Sequence, residues 1–204
     1  MLFRSHTLEK YPADFSAHYN LGALLQYRDQ PGEAESQFHA ALAVKPDNVT
    51  VLNSLGASLQ AQGKLEDAAV QLERALTLTP GYVDAHYNLG TLRLTQGRPD
   101  EAAGHFRAVV EARPDDSAAR DHLAEALHQS GNSLYAQGKL DDAISKFREL
   151  VQIRPDDAGL HNDLGVMFAR KGDMGQAAAQ FEHAVRLNPE DASARQNLEH
   201  ARKR

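Results

Sequence analysis

Proline recurs in this chain at a fixed interval. Pro12, Pro46, Pro80, Pro114, Pro155 and Pro189 stand 34, 34, 34, 41 and 34 residues apart. A period of that length marks a repeated supersecondary unit rather than a single globular core. Other columns run in phase with the prolines. Glycine occupies Gly22, Gly56, Gly90, Gly131 and Gly165; twelve residues after each comes Ala34, Ala68, Ala102, Ala143 or Ala177; four further on stands Phe38, Leu72, Phe106, Phe147 or Phe181. The hexapeptide AHYNLG at 17–22 returns at 85–90, two periods later. The near-duplicate nonapeptides that begin at Ala61 and Ala136 are two periods plus seven residues apart.

Each column has a physical cause. Leu21-Gly22, Leu55-Gly56, Leu89-Gly90 and Leu164-Gly165 lie in stretches whose apolar residues recur at three and four, the spacing of an amphipathic helix. A glycine in mid-helix costs about 1 kcal/mol relative to alanine. Its recurrence at one phase predicts close approach by a second helix, with the alanine column as the matching small surface. Turn residues follow at Asp29-Gln30-Pro31-Gly32, Gly63, Gly97, Gly138 and Gly172, where they end a first helix and admit an antiparallel second one. The proline closes that second helix, because it lacks an N–H and clashes with the preceding turn. The tripeptides PDN at 46–48, PDD at 114–116 and 155–157, and PED at 189–191 supply aspartate or asparagine to cap the next first helix.

Helix, turn and helix at these intervals resemble the tetratricopeptide repeat. The resemblance covers essentially the whole chain: a partial unit at 1–14, five repeats at 15–48, 49–82, 83–116, 117–157 and 158–191, and a capping helix at 192–204. It implies an all-α fold, an α-solenoid in which antiparallel helix pairs stack into a right-handed superhelix. The first helices would line a concave groove that holds a peptide of another protein. One column departs from the family pattern, since the early tryptophan place holds His18, Leu52, His86 and His161.

The fourth repeat is seven residues longer than the others. Seven residues are close to two helical turns, so they lengthen a helix without rotating its apolar face. Leu123, Leu127, Ser130 and Leu134 keep one stripe, which predicts a single first helix from Ser117 to about Gln137. Two signposts compete within it: Leu123-Ala124 read from the front, and Gly131 read from the back. Both placements of the insertion stay open. At the start of the chain, Pro12 fits the proline column, so residues 1–14 read as the tail of a unit that begins upstream. Leu2-Phe3-Arg4-Ser5 is what the end of a common sequencing adapter would encode, which leaves an ordinary terminus and an assembly artefact both open for residues 1–5.

Composition and motif searches then exclude most chemistry. Aromatic residues make up 6% of the chain and tryptophan is absent, so the core must be built mainly from leucine, alanine and valine. The net charge is −6, without a basic block, which speaks against nucleic acid as a partner. The absence of cysteine removes disulfides and thiolate sites without identifying a compartment. No run approaches the ~18 apolar residues of a membrane span, and the first ten residues lack the apolar core of a signal peptide. The Gly-Lys-Leu turns at Gly63 and Gly138 lack the upstream glycine and the hydroxyl residue of a phosphate loop. His18, His86 and His161 fall on different repeats, and His122, Glu125 and His128 spread around a helix rather than along one face. No metal, no cofactor and no catalytic constellation is expected, and the chain reads as a non-enzymatic protein-interaction scaffold.

One column invites a function. Two residues before each glycine stand Asn20, Ser54, Asn88, Gln129 and Asp163, and Asn197 continues the series. Asparagine there can donate to and accept from the backbone of an extended peptide. The column is similar to the asparagine ladder of O-linked N-acetylglucosamine transferases, although three of its six places depart from asparagine. Tyr19, Asn53, Tyr87 and Asn162, one residue earlier, complete the groove candidates with Asn20, Asn88 and Asp163. The competing reading is hydrogen bonding between adjacent repeats. A chaperone-type carboxylate clamp needs lysine and arginine at places where this chain has tyrosine, asparagine, alanine and threonine. Two other roles also fit the pattern: the recruiting segment of a larger enzyme such as a glycosyltransferase or kinase, and an assembly or secretion factor docking through its convex face.

Overall fold

The structure, a computed structural model, describes residues 14–203. Pro12 and all but the last residue of the partial unit expected at 1–14 fall outside the described residues, as does the origin of residues 1–5. Among the described residues there are eleven α-helices and no strand. They are α1 (Phe15–Tyr27), α2 (Pro31–Val44), α3 (Val49–Ala61), α4 (Leu65–Leu78), α5 (Val83–Thr95) and α6 (Pro99–Ala112). There follow α7 (Ser117–Ala136), α8 (Leu140–Ile153), α9 (Ala158–Lys171), α10 (Met174–Leu187) and α11 (Ala192–Arg202). No helix among these residues is long and apolar enough to cross a membrane.

The chain divides into two compact units, with the boundary between Ala119 and Arg120 in the first turn of α7. In the first unit α1 packs on α2, α2 on α3, α3 on α4, α4 on α5 and α5 on α6, and the first helices of successive repeats, α1, α3 and α5, also touch in turn. In the second unit α8 packs on α9, α9 on α10 and α10 on α11, and α9 also touches α11. Neighbour-to-neighbour packing is what a repeat array requires, because no single pair of helices buries its own apolar face.

Within a repeat, one contact sets how closely the two helices approach. A Cβ added to Gly22 would lie 2.7 Å from the ring of Phe38, and one on Gly90 would lie 2.9 Å from the ring of Phe106. On Gly131 and Gly165 it would lie 2.6 Å from Phe147 and Phe181, and on Gly56 2.6 Å from Leu72. The partner of the glycine is thus the large apolar side chain sixteen residues on, not the alanine column. Ala34, Ala68, Ala102, Ala143 and Ala177 are all fully buried, and the Ala68 carbonyl oxygen lies 3.4 Å from the Gly56 site, farther than the Leu72 side chain.

The turns follow one pattern. Gly63, Gly97, Gly138 and Gly172 hold φ between 69° and 91°, the left-handed region that ends a helix at least cost in glycine. The next residue's N–H then reaches back five places: Lys64 to the Leu59 carbonyl, Arg98 to Arg93, Lys139 to Leu134 and Asp173 to Phe168, at 2.8–3.0 Å. In the first repeat the left-handed residue is Asp29, at φ 56°, with Gln30 N–H donating to the Leu25 carbonyl at 2.9 Å. Pro31 and Gly32, expected in this turn, instead open α2, where the fixed φ and missing N–H of proline suit the first helical position.

Second helices end one residue before the residue that precedes each proline. Lys45, Thr79, Arg113, Arg154 and Asn188 hold φ between −126° and −140°, outside the helical region, as proline demands of its predecessor. The next helix is then capped by a side chain. Asn48 accepts from Val51 N–H at 3.1 Å, Asp116 from Ala119 at 2.9 Å, Asp157 from Leu160 at 3.2 Å and Asp191 from Ser193 at 2.9 Å. The third repeat opens on Tyr82, which supplies no side-chain cap.

In the fourth repeat Gly131, and not Ala124, is the residue that receives the Phe147 ring. The glycine is the eighth residue of α1, α3, α5 and α9 but the fifteenth of α7. The two added turns therefore lie on its N-terminal side, with Ala119, Leu123, Ala126 and Leu127 buried along one stripe.

The glycine contact can be tested against an internal control. Gly104 is an exposed residue inside α6 with nothing within 4 Å of an added Cβ. Gly104→Ala should raise stability by about 1 kcal/mol through helix propensity alone. Gly90→Ala makes the same propensity gain but drives the methyl into the Phe106 ring, and overpacking costs about 1–3 kcal/mol. Urea unfolding should show opposite signs, or a clearly smaller gain at Gly90.

Candidate functional site

The expected site residues lie on the first helices, and the touching of α1 with α3, α3 with α5, and α9 with α11 brings residues of neighbouring repeats within reach. Two amide pairs result. Asn88 Nδ2 on α5 donates to Asn53 Oδ1 on α3 at 2.8 Å, and Asn197 Nδ2 on α11 donates to Asn162 Oδ1 on α9 at 3.0 Å. The place three before the glycine in one repeat meets the place two before it in the next. Both bonds run the same way, with the later residue as donor. The competing reading, a bond between adjacent repeats, is thus what these side chains make.

The remaining candidates surround these pairs or stand apart from them. Tyr19 stacks nearly parallel on Phe15 at 6.3 Å and tilts against Phe38, while Tyr87 meets Phe106 edge-on at 5.9 Å. Both tyrosines are half-buried, with their rings anchored on the core side chains that fill the glycine notch. Asn20 is exposed on α1. Beside Tyr87 and Asn88 a depression of about 320 Å³ is lined also by Asp84, Arg113, Asp116 and Ala118. Arg113 Nη2 donates to Asp84 Oδ1 at 2.8 Å across its rim.

In the second unit His128 and Asp163 occupy the two places that are asparagines elsewhere. Partial desolvation raises the Asp163 carboxyl above the usual range, and Asp157 adds repulsion in the same direction; His128 and a hydrogen bond from Asn162 oppose them. Asp163 is nevertheless exposed, and a raised carboxyl on an open surface does not by itself imply acid–base chemistry.

The histidines at the family's tryptophan place act as staples. Nδ1 of His18 meets Gln37 Oε1 at 2.8 Å, that of His161 meets Gln180 Oε1 at 2.8 Å, and that of His86 meets Nδ1 of His105 at 3.0 Å. Nε2 of His86 and His161 donates to the carbonyls of Pro80 and Pro155, at 2.8 and 3.0 Å. Each such histidine ties a first helix to its second helix, and in two repeats also to the preceding proline turn. Sequence reasoning noticed the column and missed this role; the signal was the glutamine or histidine nineteen residues later. Among the described residues no group of three or more histidine, aspartate or glutamate side chains is placed to hold a metal ion.

The tetratricopeptide repeat model matches residues 19–83, 54–117, 87–133 and 128–192. The chain belongs to the tetratricopeptide repeat family. No curated protein sequence matches it. Among solved structures it is similar to YrrB, described as a tetratricopeptide repeat protein with an unusual peptide-binding site, at 23% identity over 99% of this chain and 98% of that one, with a TM-score of 0.63. MamA from Desulfovibrio magneticus RS-1 is 24% identical over 87% of this chain and 97% of its own, with a TM-score of 0.56. The tetratricopeptide repeat domain of P58(IPK) is 25% identical over 94% of this chain and 55% of that one, with a TM-score of 0.53. Tetratricopeptide repeat proteins are in general non-catalytic scaffolds for protein–protein interaction.

Each amide pair joins two tetratricopeptide repeats, so its strength is measurable without a partner. Asn53→Ala and Asn88→Ala should each cost about 1 kcal/mol, because each leaves a half-buried amide group unpaired. The double variant should cost less than the sum, with a coupling of about 0.5–1.5 kcal/mol in a double-mutant cycle of urea unfolding. Strict additivity would show that the bond contributes nothing in solution.

Proposed function

We propose that this tetratricopeptide repeat protein is a non-catalytic scaffold that binds an extended segment of a partner protein along the first-helix faces. The observation that carries this reading is the recurrence of one polar device in both units: Asn53–Asn88 in the first and Asn162–Asn197 in the second, in the same register and with the same donor direction. A carboxamide has two N–H donors and a carbonyl with two lone pairs. One bond per side leaves each pair with a donor and an acceptor whose orientation the pairing itself holds. That is the complement of a peptide unit, which offers one C=O and one N–H, and it recognises backbone rather than side chains. Tyr87 forms a half-buried aromatic wall beside Asn88 of the first pair, and Tyr19, Asn20 and Asp163 are the further groove candidates. The absence of lysine and arginine from these places argues against a carboxylate clamp.

Pre-orientation matters for affinity. A free asparagine loses side-chain entropy when it meets a ligand, whereas a paired one has already lost it on folding, so less of the binding energy is spent at that moment. The reading predicts that Asn53→Ala with Asn88→Ala weakens binding of an extended peptide, selected on the full chain from a random display library, by about 1–3 kcal/mol. Calorimetric affinity is the measurement, with melting temperature as the control for folding. Undiminished affinity in the folded double variant would place the site elsewhere on the molecule.

A further inference from the structure

Of the three histidine staples, the one in the third repeat is built differently. His86 Nε2 faces the Pro80 carbonyl at 2.8 Å, an oxygen that only accepts, so Nε2 carries a hydrogen. Its Nδ1 faces His105 Nδ1 at 3.0 Å, with the two rings tilted at 42° and 5.3 Å apart. Two arrangements satisfy this contact. A neutral His86 accepts from the Nδ1–H of His105, or a protonated His86 donates to a bare Nδ1 on His105. Both require that at least one of the two facing nitrogens be bare.

We propose that the His86–His105 contact is an acid-sensitive junction between α5 and α6: it survives the first proton taken up by the pair and is broken by the second. With both rings charged, two N–H groups point at each other across 3.0 Å and no rotation of either ring restores a donor–acceptor match. The first and fifth repeats escape this. There the partner of the histidine Nδ1 is a glutamine, Gln37 or Gln180, whose amide has a donor end and an acceptor end and can serve either protonation state by turning over. His161 also stacks on His183 at 5.1 Å, but the Nδ1 of His183 bonds Arg186 Nη2 at 2.6 Å and does not face His161 nitrogen to nitrogen. The second and fourth repeats carry Leu52 and Leu127 in the column.

The surroundings of His105 act in the same sense. Burial is the largest influence and disfavours the charged ring; His86 and Arg93, both on α5, add repulsion, and only Glu101 on α6 itself opposes them. Together they push His105 down to about 4 from an ordinary value of 6.5. The unfolded chain therefore binds the proton first as pH falls. The contribution of the junction is whole above about pH 6.5 and is lost as pH drops from there through about 4.

The test compares the full chain with His105→Gln, which copies the first and fifth repeats and so suits the site. Urea midpoints are measured at neutral pH and near pH 4. The wild-type midpoint should fall further than that of His105→Gln, and the ring resonances of His105 should titrate near pH 4 in the folded wild-type protein. His86→Leu, which copies Leu52 and Leu127, should show the same reduced loss as His105→Gln and serves if glutamine is not accepted. Parallel loss of stability in wild type and variant, or titration of His105 near its ordinary value, would overturn the junction.

Discussion

A side chain pressed onto a bare backbone governs the geometry of each repeat. Four phenylalanines and one leucine lie so close to Gly22, Gly56, Gly90, Gly131 and Gly165 that a single methyl group would collide with them. Phe38, Phe106, Phe147 and Leu72 are fully buried as a result. A helix pays about 1 kcal/mol for a glycine in its interior, and a fully buried large side chain returns about 1.5–3 kcal/mol. The exchange is favourable in every repeat. It also brings the two helices to the distance at which a short turn can join them, so the left-handed residue at Asp29, Gly63, Gly97, Gly138 and Gly172 depends on the same contact. Tyr19 and Tyr87 in turn rest on Phe38 and Phe106, which positions the candidate binding face.

Contacts between repeats are of another kind. They use amides, ion pairs across exposed surfaces and small apolar side chains. Arg74 with Asp47 at 2.7 Å and Lys171 with Asp141 are examples in the two units. Exposed pairs like these are worth about 0–1 kcal/mol. Arg93 is the exception, buried in α5 between Glu73 and Glu101 where the equivalent residues are Leu25, Leu59 and Phe168. Burying a guanidinium is costly unless its partners are well placed, and here its Nε finds no well-directed acceptor. The third repeat thus concentrates three features: a buried arginine, two histidines that meet nitrogen to nitrogen, and a first helix at Tyr82 without a side-chain cap.

What repeats at one phase was legible in the sequence, and what depends on a partner at another phase was not. The helix pairs, the proline stops and the aspartate and asparagine caps each show as a column, because each is local to its own unit. The glycine column was visible too, but its partner was assigned to alanine, since spacing alone does not tell which of two buried columns reaches the notch. The length of α7 was legible from the Leu123 and Leu127 stripe; the place of its added turns was not, until the Phe147 ring identified Gly131 as the notch. The asparagines were legible as candidates. Their pairing was not, because it joins Asn53 to Asn88 and Asn162 to Asn197, places that differ by one residue within the unit and never align in a column.

That one-residue offset has a consequence for how such an array can be assembled. Where two repeats pair through amides, one presents a side chain forward, three places before its glycine, and the next presents one backward, two places before it. A repeat is therefore a tile with unlike edges, and two tiles fit according to the edges that meet. Asn53 leads forward to Asn88, and Asn162 to Asn197, so the second and fifth repeats carry the same forward edge. Each of these junctions is thus written across two repeats, and neither repeat of a pair contains it alone.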